Sequence, residues 1–243
     1  VAYKRQILDD LVEGTERFDL LNDIADVWSE KDKNAAKAIE ALEEARDISP
    51  TDLPLLNKLL TLYPQTESWA RMIDTLQMLA EIEKDPLRKS KFVNMMAQLY
   101  RDKENDLDRA VELFNDALDL NPSFLEAFER INKILTGKKD WKGLERAFRK
   151  MLRRMSAAGT QNPDLEWNLW HNLGLIYRDR LQDPSSAIEA FKMATRYRPD
   201  EPVERQILAE LYEVTDQVEA AIGEHWHVLQ KDPMRVDPYH ALS

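Results

Sequence analysis

The sequence has no cysteine, only six glycines and eleven prolines in 243 residues, and no long apolar run. Each absence excludes something. Without cysteine there can be no disulfide, thiol nucleophile or thiolate metal site. That fits a reducing compartment, so a cytoplasmic location is expected, with the periplasm as the alternative. Few glycines and prolines mean few loops, which points to a mostly helical protein. The most apolar stretch, LPLLNKLLTLYP, is short and contains Lys58, so no membrane span is expected. No signal peptide opens the chain. It begins at Val1 rather than Met, which reads as the cut edge of a longer chain, so the missing leader does not fix the compartment.

Signs of catalysis are also missing. The sequence has no glycine-rich phosphate loop, no dinucleotide fingerprint and no H-E-x-x-H pair. Of the four histidines, His225 and His227 are two apart and would point to different faces of a helix. His225 falls in a core slot, and His240 lies near the end of the chain. Neither an enzyme nor a cofactor is expected. Trp28, Trp69, Trp141 and Trp170 fall at expected core positions, which argues against a stacking platform for single-stranded nucleic acid. Trp167 and Trp226 are less constrained.

The formal net charge is −11, which argues against a general nucleic-acid binder. The distribution is uneven. Residues 1–137 carry −10 and residues 155–243 carry −7, whereas residues 138–154 carry +6. This basic island, KKDWKGLERAFRKMLRRM, reads as an amphipathic helix. Trp141, Leu144, Phe148, Met151 and Met155 form its apolar side. Lys138, Lys142, Arg146, Arg149, Lys150 and Arg153 lie on the other, either as a solvated face or as an outward docking patch for an acidic partner.

What the chain does contain is repetition. NAAKAIEALEEARDISP, DLDRAVELFNDALDLNP and DPSSAIEAFKMATRYRP align without a gap, starting at Asn34, Asp106 and Asp183, at intervals of 72 and 77 residues. Asn34, Asp106 and Asp183 are suited to cap a helix. Ala38-Leu42-Ala45, Ala110-Phe114-Ala117 and Ala187-Phe191-Ala194 then form a small–large–small stripe at helical spacing. Pro50, Pro122 and Pro199 end the helix. A partner helix precedes each window, marked by Leu21, Ile24, Ala25 and Trp28, by Val93, Met96, Ala97 and Tyr100, and by Trp170, Leu173, Gly174 and Tyr177. Between these units a second kind begins at Tyr63–Trp69, Leu135–Trp141 and Tyr212–Val218. Six helix pairs result. Three double units are expected at 17–86, 89–158 and 164–234. Residues 1–14 read as the second helix of a preceding repeat and 235–243 as the start of a further one.

The run Trp170-x-x-Leu173-Gly174-x-x-Tyr177, followed by Ala187-x-x-x-Phe191-x-x-Ala194 and Pro199, resembles the tetratricopeptide repeat. One extra residue lies between Tyr177 and Ala187. The resemblance implies an all-α, right-handed α-solenoid of antiparallel helix pairs, a superhelix whose first helices line a concave groove. It also implies a scaffold or adaptor that holds a peptide or partner protein there. On this reading the polar stripe beside the core supplies the groove contacts. Amides and cations gather at Lys91, Asn94, Gln98 and Arg101, and at Lys133, Asn168, His171 and Arg178. Asn and Gln can read a peptide backbone, and Arg can grip a carboxylate. The Lys/Asn pattern of the chaperone-binding carboxylate clamp is not reproduced in adjacent units. Two alternatives remain open: a structural spacer or self-assembling array, and a helical-repeat scaffold of RNA-processing complexes.

Overall fold

The computed structural model describes residues 14–159, 161–199 and 201–231. The expected helix of a preceding repeat and the expected start of a further one lie outside them, but for Gly14. Among the described residues every element is helical. In chain order the helices are α1 (Thr15–Asp26), α2 (Ala35–Ile48), α3 (Leu53–Leu62), α4 (Trp69–Ile82), α5 (Pro86–Asp102) and α6 (Leu107–Leu120). They continue with α7 (Leu125–Lys138), α8 (Trp141–Ala158), α9 (Pro163–Leu175), α10 (Pro184–Tyr197), α11 (Pro202–Val214) and α12 (Val218–Lys231). The chain divides into two compact units between Ala127 and Phe128, in the first turn of α7. Each unit therefore holds three helix pairs.

The cores follow the small–large–small stripe. In the first unit Ala38, Leu42 and Ala45 of α2 and Ala110, Phe114 and Ala117 of α6 are buried. In the second, Ala187, Phe191 and Ala194 of α10 are buried as well. Alanines at the crossing bring the backbones close, and the large side chain fills the space beside them. Phe191 joins Ile188, Leu208, Leu211 and Tyr212 in one apolar cluster spanning α10, α11 and α12.

The turns within the pairs show how the sequence is punctuated. The Oδ1 atoms of Asn34, Asp106 and Asp183 accept from the backbone N–H of Lys37, Arg109 and Ser186 at 3.1, 2.9 and 3.0 Å, which confirms the expected caps. One residue before each cap, Lys33, Asn105 and Gln182 take the left-handed conformation, with φ of 48°, 54° and 53°. Glu67, Lys139 and Asp216 do the same before Ser68, Asp140 and Gln217. All six non-glycine residues with positive φ among those described are at these six turns.

The extra residue of the long-turn pairs has a visible location. At Ser68, Asp140 and Gln217 the backbone N–H reaches back five residues, to the carbonyls of Tyr63, Leu135 and Tyr212. At Asn34, Asp106 and Asp183 it reaches back six, to Trp28, Tyr100 and Tyr177. The chain absorbs the insertion by widening the end of the first helix, as π-helical turns at Val27–Lys31 and Ile176–Leu181. The helix that follows keeps its register.

Candidate functional site

The residues expected to line the inner face divide into available and occupied groups. In the first unit Lys91 of α5 is exposed and, with Asn57, Leu53 and Phe92, borders a cavity of about 270 Å³. Gln98 is half-buried on the same helix. Asn94 corrects the expectation: it is 4% exposed and its Oδ1 has no partner among the described residues, so its amide is buried rather than presented at the surface. The buried arc of α5 includes Ser90, Val93, Asn94 and Ala97, wider than the apolar pattern alone implied. Arg101 spends its guanidinium on its neighbour, donating to both Asp102 oxygens at 2.6 and 2.7 Å. These bonds raise the pKa of Arg101 above its ordinary value.

The second unit repeats that arrangement. Arg178 donates to both Asp179 oxygens at 2.6 and 3.0 Å, which raises its own pKa and lowers that of Asp179. His171 is also held: its Nδ1 lies 2.9 Å from Oε1 of the fully buried Glu204, and its ring stacks on Trp167 with centroids 5.1 Å apart. Arg198 covers Trp167 at 3.8 Å. Asn168 is exposed and its Oδ1 accepts from Asn172 at 2.5 Å. Lys133 is exposed.

Three tryptophans expected in the core instead stand half-buried at its edge beneath a cation. Lys37 lies 4.3 Å from the ring centroid of Trp28, Lys103 lies 4.2 Å from that of Trp69, and Arg180 lies 4.8 Å from that of Trp141. An indole is too large for full burial at a crossing of two thin stripes, and its exposed face attracts a cation. Trp170 is also half-buried. Trp226 is 56% exposed, whereas His225 is buried in the slot that Phe191 fills one pair earlier, with its Nε2 2.7 Å from Glu213 Oε1.

Two clefts of the second unit leave no mark in the repeat pattern. One lies between α7, α8 and α9. Its floor is Leu144, Phe148 and Ile176, and its rim includes Asn132, Thr136, Trp141 and Asn172. The other lies on the opposite flank of α8, against α10. It measures about 400 Å³ and is lined by Arg149, Trp170, Leu173, Tyr177, Ser185 and Ser186 among others. Beside it, the Tyr177 hydroxyl donates to Glu145 Oε1 at 2.6 Å, and burial together with that carboxylate pushes the phenol up to about 12. Sequence periodicity reports one helix at a time, so a cleft shared by residues some 40 positions apart leaves no local signal.

The basic island forms α8, and its outward arc is wholly cationic. Lys142, Arg146, Arg149 and Arg153 are exposed and Lys150 is half-buried, while Arg154 turns inward at 7% exposure. Lys138 closes α7. Counted from the caps Asp106 and Asp140, the α6 residues at the positions of Lys142, Arg146, Lys150 and Arg153 are Asp108, Glu112, Asp116 and Asp119, all exposed, while half-buried Asn115 stands where Arg149 does. The fold does not require either sign at these positions.

A tetratricopeptide repeat family model matches residues 90–124 and 168–201. The chain carries tetratricopeptide repeats. The first matched stretch covers most of α5 and all of α6, and the second covers most of α9 and all of α10. No curated protein matches the sequence. Among solved structures the chain is similar to YrrB, described as a TPR protein with an unusual peptide-binding site. Identity there is 22%, over 63% of this chain and 73% of that one, with a TM-score of 0.42. It is also similar to MamA from Desulfovibrio magneticus RS-1, at 21% identity over 75% and 96% of the two chains, TM-score 0.38. A third likeness is to the APC/C hetero-tetramer Cut9–Hcn1, at 14% identity over 99% and 45%, TM-score 0.41. Among the described residues no group of His, Asp and Glu could hold a metal ion, and no helix is long and apolar enough to cross a membrane.

Proposed function

We propose that this repeat protein is an interaction scaffold that seats a peptide or partner protein on the faces of its first helices, and we assign it no reaction. The observation that carries the reading is the cleft between α7, α8 and α9. An apolar floor of Leu144, Phe148 and Ile176 lies under a rim of Asn132, Thr136 and Asn172. A floor of this kind takes an apolar side chain, and amides and a hydroxyl can pair with the peptide backbone around it. Lys133, Asn168 and His171 extend the polar surface on α7 and α9, and Lys91 and Gln98 offer a similar surface in the first unit. Arg101 and Arg178, each already bound to an aspartate, contribute less charge to a ligand than a free arginine would.

The test is affinity capture from source-cell lysate with the wild-type chain and a Thr136→Arg/Asn172→Arg variant that fills the cleft. Unchanged helicity and melting of the variant would exclude unfolding. A partner held by the wild type and lost by the variant supports the scaffold reading and locates its seat. A partner held equally by both removes this cleft. Absence of any partner favours the spacer reading.

A further inference from the structure

We infer that the outer flank of α8 is a second binding surface, separate from the first-helix faces, for an acidic segment of a partner protein that carries a bulky apolar residue. Two independent features meet there. The first is the cationic arc. From Lys142 to Arg153 the helix rises about 16 Å, the length of about five residues of extended peptide. Every outward position over that length is Lys or Arg, and Lys142, Arg146 and Arg153 are exposed. The second is the cleft beside it, where Trp170, Leu173 and Tyr177 form an apolar floor between α8 and α10.

Arg149 belongs to both features, since it stands on the outward arc and lines the cleft. The local acids are already engaged. Glu145 accepts from Arg149 at 3.1 Å and from Tyr177, and Glu189 at the lip of the cleft pairs with Lys192 at 2.9 Å. A ligand here meets a row of cations and one adjoining apolar hole. An extended chain with glutamates or aspartates on both sides of a leucine or aromatic residue matches that sequence of environments. Cations steer and register the segment, and the apolar side chain supplies short-range fit. The protein's net charge of −11 opposes a long polyanion such as a nucleic acid, which would extend beyond the cationic row into acidic surroundings.

The experiment uses the whole chain and a short fluorescein-labelled oligoglutamate with one central leucine, read by fluorescence anisotropy. The expected result is saturable binding that weakens between about 0.02 M and about 0.5 M salt. Arg146→Glu/Arg149→Glu/Arg153→Glu should weaken it about tenfold or more. Replacing the peptide's leucine by glycine should weaken it about tenfold, the loss expected for one buried apolar side chain. In the ¹⁵N spectrum the Trp170 indole resonance, assigned with Trp170→Phe, should move with the leucine peptide and stay with the glycine peptide. If the triple reversal melts early, the corresponding Gln variants serve in its place.

The inference is overturned if no binding is seen, if the triple variant binds equally, or if leucine and glycine peptides bind alike. Tighter binding of an oligonucleotide or of anionic vesicles than of the leucine peptide overturns it too, since the arc would then be a general anion surface. The groove-filling variant Thr136→Arg/Asn172→Arg should leave this binding unchanged, so the two surfaces stand or fall separately.

Discussion

Gly174 lies directly against the ring of Phe191: a Cβ built at 174 would stand 2.7 Å from both Cε2 and Cζ of that ring. Phe191 is fully buried and cannot swing away. Gly174→Ala should therefore destabilise the second unit by about 1–3 kcal/mol, despite alanine's better helix propensity, and Gly174→Leu by more. Ala110→Leu should cost a similar amount in the first unit, where Ala110 is fully buried. Urea unfolding measures both, and wild-type midpoints would mean that the helices do not cross at these residues.

The six left-handed turn residues predict the opposite sign. None of them is glycine, and each holds a conformation that costs an L-residue about 1 kcal/mol. Lys139→Gly and Gln182→Gly should each raise stability by about 0.5–1 kcal/mol. Arg146→Gly, on the exposed face within α8, should lower it by about 1 kcal/mol. Melting curves of the three variants test the contrast.

Tyr177 gives a pH dependence with a definite direction. Burial, then the hydrogen bond to Glu145, raises its phenol from an ordinary value near 10 to about 12. A raised folded-state pKa means the stabilisation is fully present below about pH 10 and is lost as pH rises towards 12. Burial also raises Tyr63 and Tyr212, and a hydrogen bond to Glu166 raises Tyr197, so ultraviolet titration should show several late-ionising tyrosines, of which Tyr177→Phe removes one. The same variant should lose about 0.5–1.5 kcal/mol of stability at neutral pH. A titration curve unchanged by the substitution would contradict the assignment.

His225 occupies a slot filled by phenylalanine in α6, α8 and α10, and its buried Nδ1 has no partner among the described residues. His225→Phe should raise the melting temperature, with a gain of about 1 kcal/mol, by removing that unpaired atom. A lower melting temperature would show that the 2.7 Å contact with Glu213 matters more than the burial cost.

The parts of the fold legible in the sequence are those governed by spacing along one helix. The alanine stripes, the caps at Asn34, Asp106 and Asp183 and the stops before Pro50, Pro122 and Pro199 are all of that kind. Side-chain partnerships were less legible. Spacing presents Arg101 and Arg178 as available cations, yet each is bound by the aspartate that follows it. Asn94 belongs by spacing to a polar stripe and is buried, because the packed arc of α5 is broader than its apolar residues. Periodicity puts Trp28, Trp69 and Trp141 in the core, and they sit at its rim, under cations supplied by later residues. The basic arc of α8 was visible as a charge pattern. The cleft that gives it a second chemistry was not, because Trp170 and Tyr177 come from the next pair.

Asp108, Glu112, Asp116 and Asp119 of α6 occupy the same repeat positions as Lys142, Arg146, Lys150 and Arg153 of α8, one set acidic and the other basic, on second helices with similarly buried inner stripes. Folding and address are thus written at different sites of the same helix. A lineage could rewrite the address of any one repeat by a handful of surface changes while the inner stripe stayed under selection for packing. An engineer could do the same, moving a recognition face from one pair to another as a cassette.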